Sequence, residues 1–281
     1  MSGLLAEGAS LEKLWTGTAW GEGPVWLPAE GVLVWSDIPH SRVLQYDAGT
    51  VTVRHADAEY ANGRTLDRDG AIVQCSHGRR AIEREVDGMP VVVVDRWAGG
   101  RFNSPNDVVV ARDGAIWFTD PPYGLHESGA EGHPGSQDYD GCYVFRYADG
   151  VAEPVITDMV HPNGLAFSPD ESLLYVADTA WFWQPEVTPV IRVYDTTTWQ
   201  GRVFATPSGV ADGFRVDTLG RVWTSCGESV RVYSPEGEVL LDIPVPERVG
   251  NLCFGGPDGH DLYIAAGTSL YRVATTATDA A

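Results

Sequence analysis

One pattern recurs six times along the chain: an amide or carboxylate, an apolar strand of about five residues, a turn, and a second apolar strand ending in polar residues. The copies are EGPVWLPAEGVLVWSD from Glu22, NGRTLDRDGAIVQCSH from Asn62, NDVVVARDGAIWFTD from Asn106, NGLAFSPDESLLYVADT from Asn163, DGFRVDTLGRVWTSCG from Asp212 and NLCFGGPDGHDLYIAAG from Asn251. Glycine stands eight residues after the lead in four copies (Gly70, Gly114, Gly220, Gly259) and nine after it in the first (Gly31), while Glu171 takes the place in the fourth. Lead residues are spaced by 40, 44, 57, 49 and 39 positions, a period that belongs to solenoids and propellers. A single hairpin of this kind would be ordinary. Six in register are not.

Each unit continues with two more strand candidates: 42–46 and 51–54, 81–84 and 91–95, 142–147 and 152–156, 190–194 and 202–205, 230–233 and 238–243. Four strands per unit make a propeller blade. The sixth unit offers a third strand at 270–273 and then a short polar tail, so its fourth strand must come from elsewhere; residues 11–15, ahead of the first unit, are the available donor. The expectation is an all-β, six-bladed β-propeller over residues 1–281, one domain, closed by pairing the two chain ends, which removes an open sheet edge. The ten Trp and eleven Tyr, with thirty-two Gly and eighteen Pro, suit short strands and tight turns.

Strand direction alternates within an antiparallel blade. All six lead residues, the loops entering each blade and the loops between second and third strands therefore gather at one end of the central channel. Two of those loops are long: 121–140, and 180–189 with Trp181, Phe182 and Trp183 in succession. Both are expected to overhang the channel mouth.

The lead set, Glu22, Asn62, Asn106, Asn163, Asp212 and Asn251, offers oxygen donors without thiolate or imidazole, the chemistry of a hard cation such as Ca²⁺. Mg²⁺ or Mn²⁺ are the natural substitutes; Zn²⁺ remains a candidate, although it favours nitrogen and sulfur. The competing account is that Asn-Gly and Asp-Gly merely turn the chain into each blade. It fails for Glu22, and for Asn106 and Asn251, which no glycine follows.

A net charge of −20 opposes nucleic acid and anionic membranes as partners. No basic region with an apolar core opens the chain, and no apolar run reaches eighteen residues, so a cytoplasmic protein without a signal peptide is expected. Cys75, Cys142, Cys226 and Cys253 form neither a CxxC nor a zinc pattern and read as buried free thiols. Neither a G-x-S-x-G elbow nor a phosphate-binding glycine motif is present.

EGPVW at 22–26, SPNDV at 104–108, PNGLAFSPD at 162–170 and ADGF around Asp212 resemble the senescence marker protein, gluconolactonase and luciferin-regenerating enzyme family; diisopropylfluorophosphatase and the paraoxonases are more distantly similar. The resemblance implies a metal-dependent lactonase acting on a small lactone or ester. It implies a divalent ion held by Glu22, Asn163 and Asp212, with Asn106 completing or bordering the shell and Asp212 as general base. Asn62, Asn106, His77, Arg101, Tyr123 and Trp181 are the candidate substrate contacts. Regucalcin-type members carry an arginine where this chain has Ser104; Arg101, in the same loop, is the expected replacement. Phosphotriester or fluorophosphate hydrolysis at the same ion is the alternative enzyme reading, and a binding platform with a structural cation the non-enzymatic one.

Overall fold

A computed structural model describes residues 3–281. It contains six four-stranded antiparallel sheets arranged as the blades of a propeller, each running from an inner strand on the central channel to an outer strand at the rim. The inner strands are Gly21–Leu27, Ala61–Leu66, Val108–Val110, Pro162–Phe167, Phe214–Val216 and Val249–Gly255, each in contact with the next around the axis. Helical structure among the described residues is limited to two single 3₁₀ turns, Tyr123–Leu125 and Ala180–Phe182.

Second strands such as Val32–Asp37, Ile72–Ser76 and Ile116–Asp120 are buried on both faces, because each lies between two neighbouring blades. That is why they read as continuous apolar runs rather than alternating ones. Trp35, Trp117, Tyr175 and Trp223 are all in the core and meet aromatic partners edge-on or tilted: Trp15 at 5.8 Å, Trp199 at 5.0 Å, Phe204 at 4.9 Å and Phe254 at 5.4 Å between ring centroids. Aromatic packing, between blades for the three tryptophans and within the fourth blade for Tyr175 and Phe204, accounts for their recurrence. All four cysteines are buried free thiols.

The recurring glycine has a conformational cause. Gly31, Gly70, Gly114, Gly220 and Gly259 turn the chain from first to second strand with φ between 70° and 86°, and Glu171, which replaces glycine in the fourth blade, is held at φ 58°. Only glycine enters that region without steric cost.

The ring is closed as the missing strand demanded. Glu12–Thr16, one residue on from the expected span, pairs antiparallel with Ser269–Ala274, opposing Glu12 to Arg272 and Trp15 to Leu270. Arg272 also bonds the Glu12 carboxylate at 2.7 Å. Upstream of this strand Leu4 is buried, and its carbonyl accepts the Thr276 amide at 2.9 Å.

Candidate active site and metal centre

The lead residues do not make turns. Glu22, Asn62, Asn163 and Asn251 lie inside their inner strands, at positions where the pairing register slips, as it does between Glu22 and Val25, Ala61 and Arg64, and Pro162 and Leu165. Such bulges turn a side chain out of the ladder, here toward the axis. The glycine after several leads serves close approach: a Cβ on Gly164 would stand 2.2 Å from the Asp212 carbonyl, and one on Gly63 2.6 Å from that of Asn106. The amides of Gly63, Gly164 and Gly213 donate to carbonyls of the next blade, those of Asn106, Asp212 and Gly250, at 2.9–3.1 Å. Main-chain bonds between blades thus fix the ring of leads.

Glu22, Asn62, Asn106, Asn163 and Asp212 line one cavity of about 320 Å³ at the lead-residue end of the channel. Asn251 is outside that lining, its Oδ1 accepting the Leu252 amide at 2.8 Å. The donor groups are oriented from outside. Burial lowers the pKa of His77 to about 4, so the ring is neutral; its Nδ1–H must donate to the Glu131 carbonyl at 2.9 Å, which leaves Nε2 to accept from Asn62 Nδ2 at 3.1 Å. Asn163 Nδ2 donates to Thr179 Oγ1 at 3.0 Å. With their nitrogens committed, both amides have carbonyl oxygens free for the cavity. Glu22 accepts the Gly23 amide on Oε2 at 2.9 Å, while its buried Oε1 has no partner among the described residues. A buried carboxylate oxygen without a donor, beside a second carboxylate and anchored amide oxygens, fits a hard divalent cation.

Burial pushes Glu22 well above the usual carboxylate range, and the Asp212 charge raises it further. Desolvation raises Asp212 to about 7 and Asp107, deeper in the channel, to about 6. Past the ring the axis is filled by guanidiniums: buried Arg64 bonds the Gly23 carbonyl and Ser36, and Arg215 reaches the Arg64 carbonyl at 3.4 Å.

A pH signature follows. A carboxyl whose folded pKa lies above its unfolded value of about 4 stabilises the fold fully below that value, and the contribution is lost as pH rises through the folded pKa. Chelator-treated protein is therefore expected to melt at lower temperature at about pH 8 than at about pH 5. A divalent cation, which favours the ionised carboxylates, is expected to raise Tm more at the higher pH; at a hundredfold excess over Kd the gain is about 2.7 kcal/mol, roughly 5–10 °C. Thermal melts at both pH values decide it, and a cation effect equal at the two would contradict a site built on these carboxyls.

Tyr123 lines the cavity and is tied through its hydroxyl to Thr179. Trp183 and Phe182 form part of the wall, with Trp183 edge-on to Tyr123 at 5.2 Å and His161 at 5.3 Å. Three expected contacts lie elsewhere. Trp181, 44% exposed, is outside the lining while Phe182 and Trp183, which follow it, are in it. His77 is buried behind Asn62 rather than open to the cavity. Arg101 is drawn outward, its guanidinium on the Arg79 carbonyl at 2.8 Å and its amide on Asp138 at 2.9 Å. Ser104 instead staples the long loop, donating to the Pro121 carbonyl at 2.6 Å and accepting from the Gly124 amide at 2.9 Å.

The cavity wall also holds His126, a lead-face loop residue legible as a candidate contact, together with Trp20, Glu131 and Arg248, which the sequence did not single out. Trp20 and Arg248 sit two and three residues before the leads Glu22 and Asn251 on entry segments, and Glu131 lies in the long loop. The rule that sends entry loops to the channel mouth covers all three.

Comparison with known proteins agrees with this architecture. The model of the SMP-30/Gluconolactonase/LRE-like region matches residues 20–268. A gluconolactonase of Zymomonas mobilis is 32% identical over an alignment covering 98% of this chain and 84% of its own length. A pentonolactonase of Haloferax volcanii is 32% identical, covering 87% and 80%. Among solved structures, a gluconolactonase of Xanthomonas campestris superposes with a TM-score of 0.90 at 39% identity, covering 97% of this chain and 91% of that one. With its matched blades and the ring of acid and amide leads, the chain belongs to the SMP-30/gluconolactonase/LRE-like family.

Proposed function

We propose that this protein is a divalent-cation-dependent hydrolase that opens a small lactone in the cavity at the head of its central channel. The observation that carries the reading is the buried Oε1 of Glu22, without a partner among the described residues and set among Asp212 and amide oxygens turned inward by His77 and Thr179. Glu22, Asn163 and Asp212, with Asn106 beside them, would hold the ion, and the hardness of the donors favours Ca²⁺. When bound, such an ion supplies Lewis acidity toward a carbonyl oxygen.

Asp212 is the group that takes a proton from the attacking water, since it lines the cavity and its buried position raises its affinity for that proton. Asn62 and Asn106 orient the ring oxygens of the substrate. Tyr123 and Trp183 provide an apolar wall, and the 121–140 loop, stapled by Ser104, shields the cavity from bulk water. The high similarity to lactonases, at 32–39% identity over most of the chain, supports the same class of substrate.

The test is a panel of sugar and aliphatic lactones assayed after chelation and after return of Ca²⁺, Mg²⁺, Mn²⁺ or Zn²⁺. Ring opening abolished by chelation with an unchanged circular-dichroism spectrum, and restored by a cation, is expected. Hydrolysis of phosphotriesters in preference to every lactone, or of no ester with any cation, would overturn it.

A further inference from the structure

The cavity lining also carries a charge opposite to those of Glu22 and Asp212. Arg248 enters the cavity from the segment leading into the sixth blade. Its guanidinium lies 3.9 Å from the ring centre of Phe182 and 5.6 Å from that of Trp20. Contact with aromatic faces engages the flat sides of the group and leaves the N–H donors around its edge. Among the described residues no carboxylate stands within 4.0 Å of it and no protein acceptor takes its hydrogens, whereas Arg231, on the preceding blade, is paired with Asp242 and Arg272 with Glu12. A guanidinium held by two rings, open at its edge and directed into a pocket is placed for a ligand.

The charge pattern says which ligand. A divalent ion matches the charges of Glu22 and Asp212. Glu131, from the long loop, is the only other carboxylate in the described lining. Both Asp212 and Glu131 feel the Arg248 charge, yet neither pairs with it. With neither carboxylate within 4.0 Å of it, the Arg248 guanidinium keeps its N–H donors open to a ligand in the pocket. At about 320 Å³ the cavity is at the small end for ligand sites, so one small molecule in it meets Arg248 as well as the acid and amide side chains.

We propose that Arg248 receives an anionic group borne by the substrate, and that the preferred lactones carry a carboxylate remote from the ring carbonyl, as the monolactones of sugar diacids do. The inference rests on the lactonase reading for its reaction. The fork of guanidinium donors matches the two oxygens of a planar carboxylate, and such charge-assisted pairs are the strong ones. Neutral lactones would have only hydroxyls to offer Arg248.

The experiment compares kcat/KM for a glucaric acid monolactone and for neutral gluconolactone, using cation-loaded wild type, Arg248→Met, Arg248→Lys and Glu131→Gln. Wild type is expected to favour the acidic lactone. Arg248→Met should reduce its kcat/KM by about 10- to 100-fold, the loss expected for a hydrogen-bonded charge pair, chiefly through KM, and at least about tenfold more than it reduces that for gluconolactone. Arg248→Lys should retain part of the preference, and Glu131→Gln should increase it. Equal losses for both lactones in Arg248→Met would overturn the assignment, since they mark a grip on hydroxyls or a structural contact. A 6-phosphorylated lactone preferred over the carboxylate one would overturn the planar-carboxylate choice.

A binding arm separates this inference from the lactonase reading. Glucarate should raise the Tm of cation-loaded wild type and not that of Arg248→Met. That result, with no lactone opened, sinks the reaction but keeps the anion site; hydrolysis of neutral lactones without glucarate stabilisation does the reverse.

Discussion

Asp212→Asn is expected to lose lactone hydrolysis by about 10²- to 10⁴-fold even at cation concentrations that saturate its weakened site. The substitution keeps the size of the side chain and one ligand oxygen but removes a charge and a proton acceptor. Glu22→Gln is expected to behave differently. It leaves Asp212 in place, so it should weaken cation binding and recover much of its rate when cation is raised. Titrating rate against Ca²⁺ for the two variants separates a residue that holds the ion from one that also moves the proton. Full recovery of Asp212→Asn would make Asp212 a ligand only. His77 could not then replace it, because both its ring nitrogens are engaged outside the cavity; His126 and Glu131, which line it, would be the groups to test.

Removing residues 1–16 is expected to lower Tm by more than about 10 °C or to yield insoluble protein. The strand Glu12–Thr16 is the outer strand of the sixth blade, and without it Ser269–Ala274 becomes an open edge. The deletion also withdraws half-buried Trp15 from Trp35 and buried Leu4 from its cluster; full burial of a leucine is worth about 1.5–3 kcal/mol, and Trp15 adds a share of its own. At roughly 2–4 °C per kcal/mol for chains of this size, the two side chains and the lost ladder bonds together reach that range. A melt unchanged from that of the full chain would mean that the pairing of the chain ends contributes little to closure.

Arg101 and Arg248 show where reading from sequence stops. Arg101 was the natural stand-in for the arginine absent at position 104, because it shares that loop; in the fold its guanidinium is spent on the Arg79 carbonyl, 22 positions away in the chain. Arg248 had no motif around it, and it becomes a cavity residue only because Trp20 and Phe182, from two other blades' loops, hold it there. The aromatic triplet divides in the same way: a wall at the mouth was legible, but the 3₁₀ turn over Ala180–Phe182 decides that Phe182 and Trp183, not Trp181, form it.

The sequence by itself determined the blades, their number, the turn glycines, the strand that closes the ring and the residues that head each inner strand. These follow from short-range periodicity repeated six times, and a ring of repeats leaves little freedom in how the copies are arranged. It also determined the hardness of the donor set, which depends on side-chain chemistry alone. Only the tertiary structure decided which way each amide points, since that is fixed by partners such as His77 and Thr179. It also decided that the glycines after the leads make room for the next blade, and which loop residues enter the cavity. Those outcomes depend on contacts between separate segments, from 15 residues apart for Asn62 and His77 to 43 for Gly63 and the Asn106 carbonyl, where packing rather than local pattern sets the direction of a side chain.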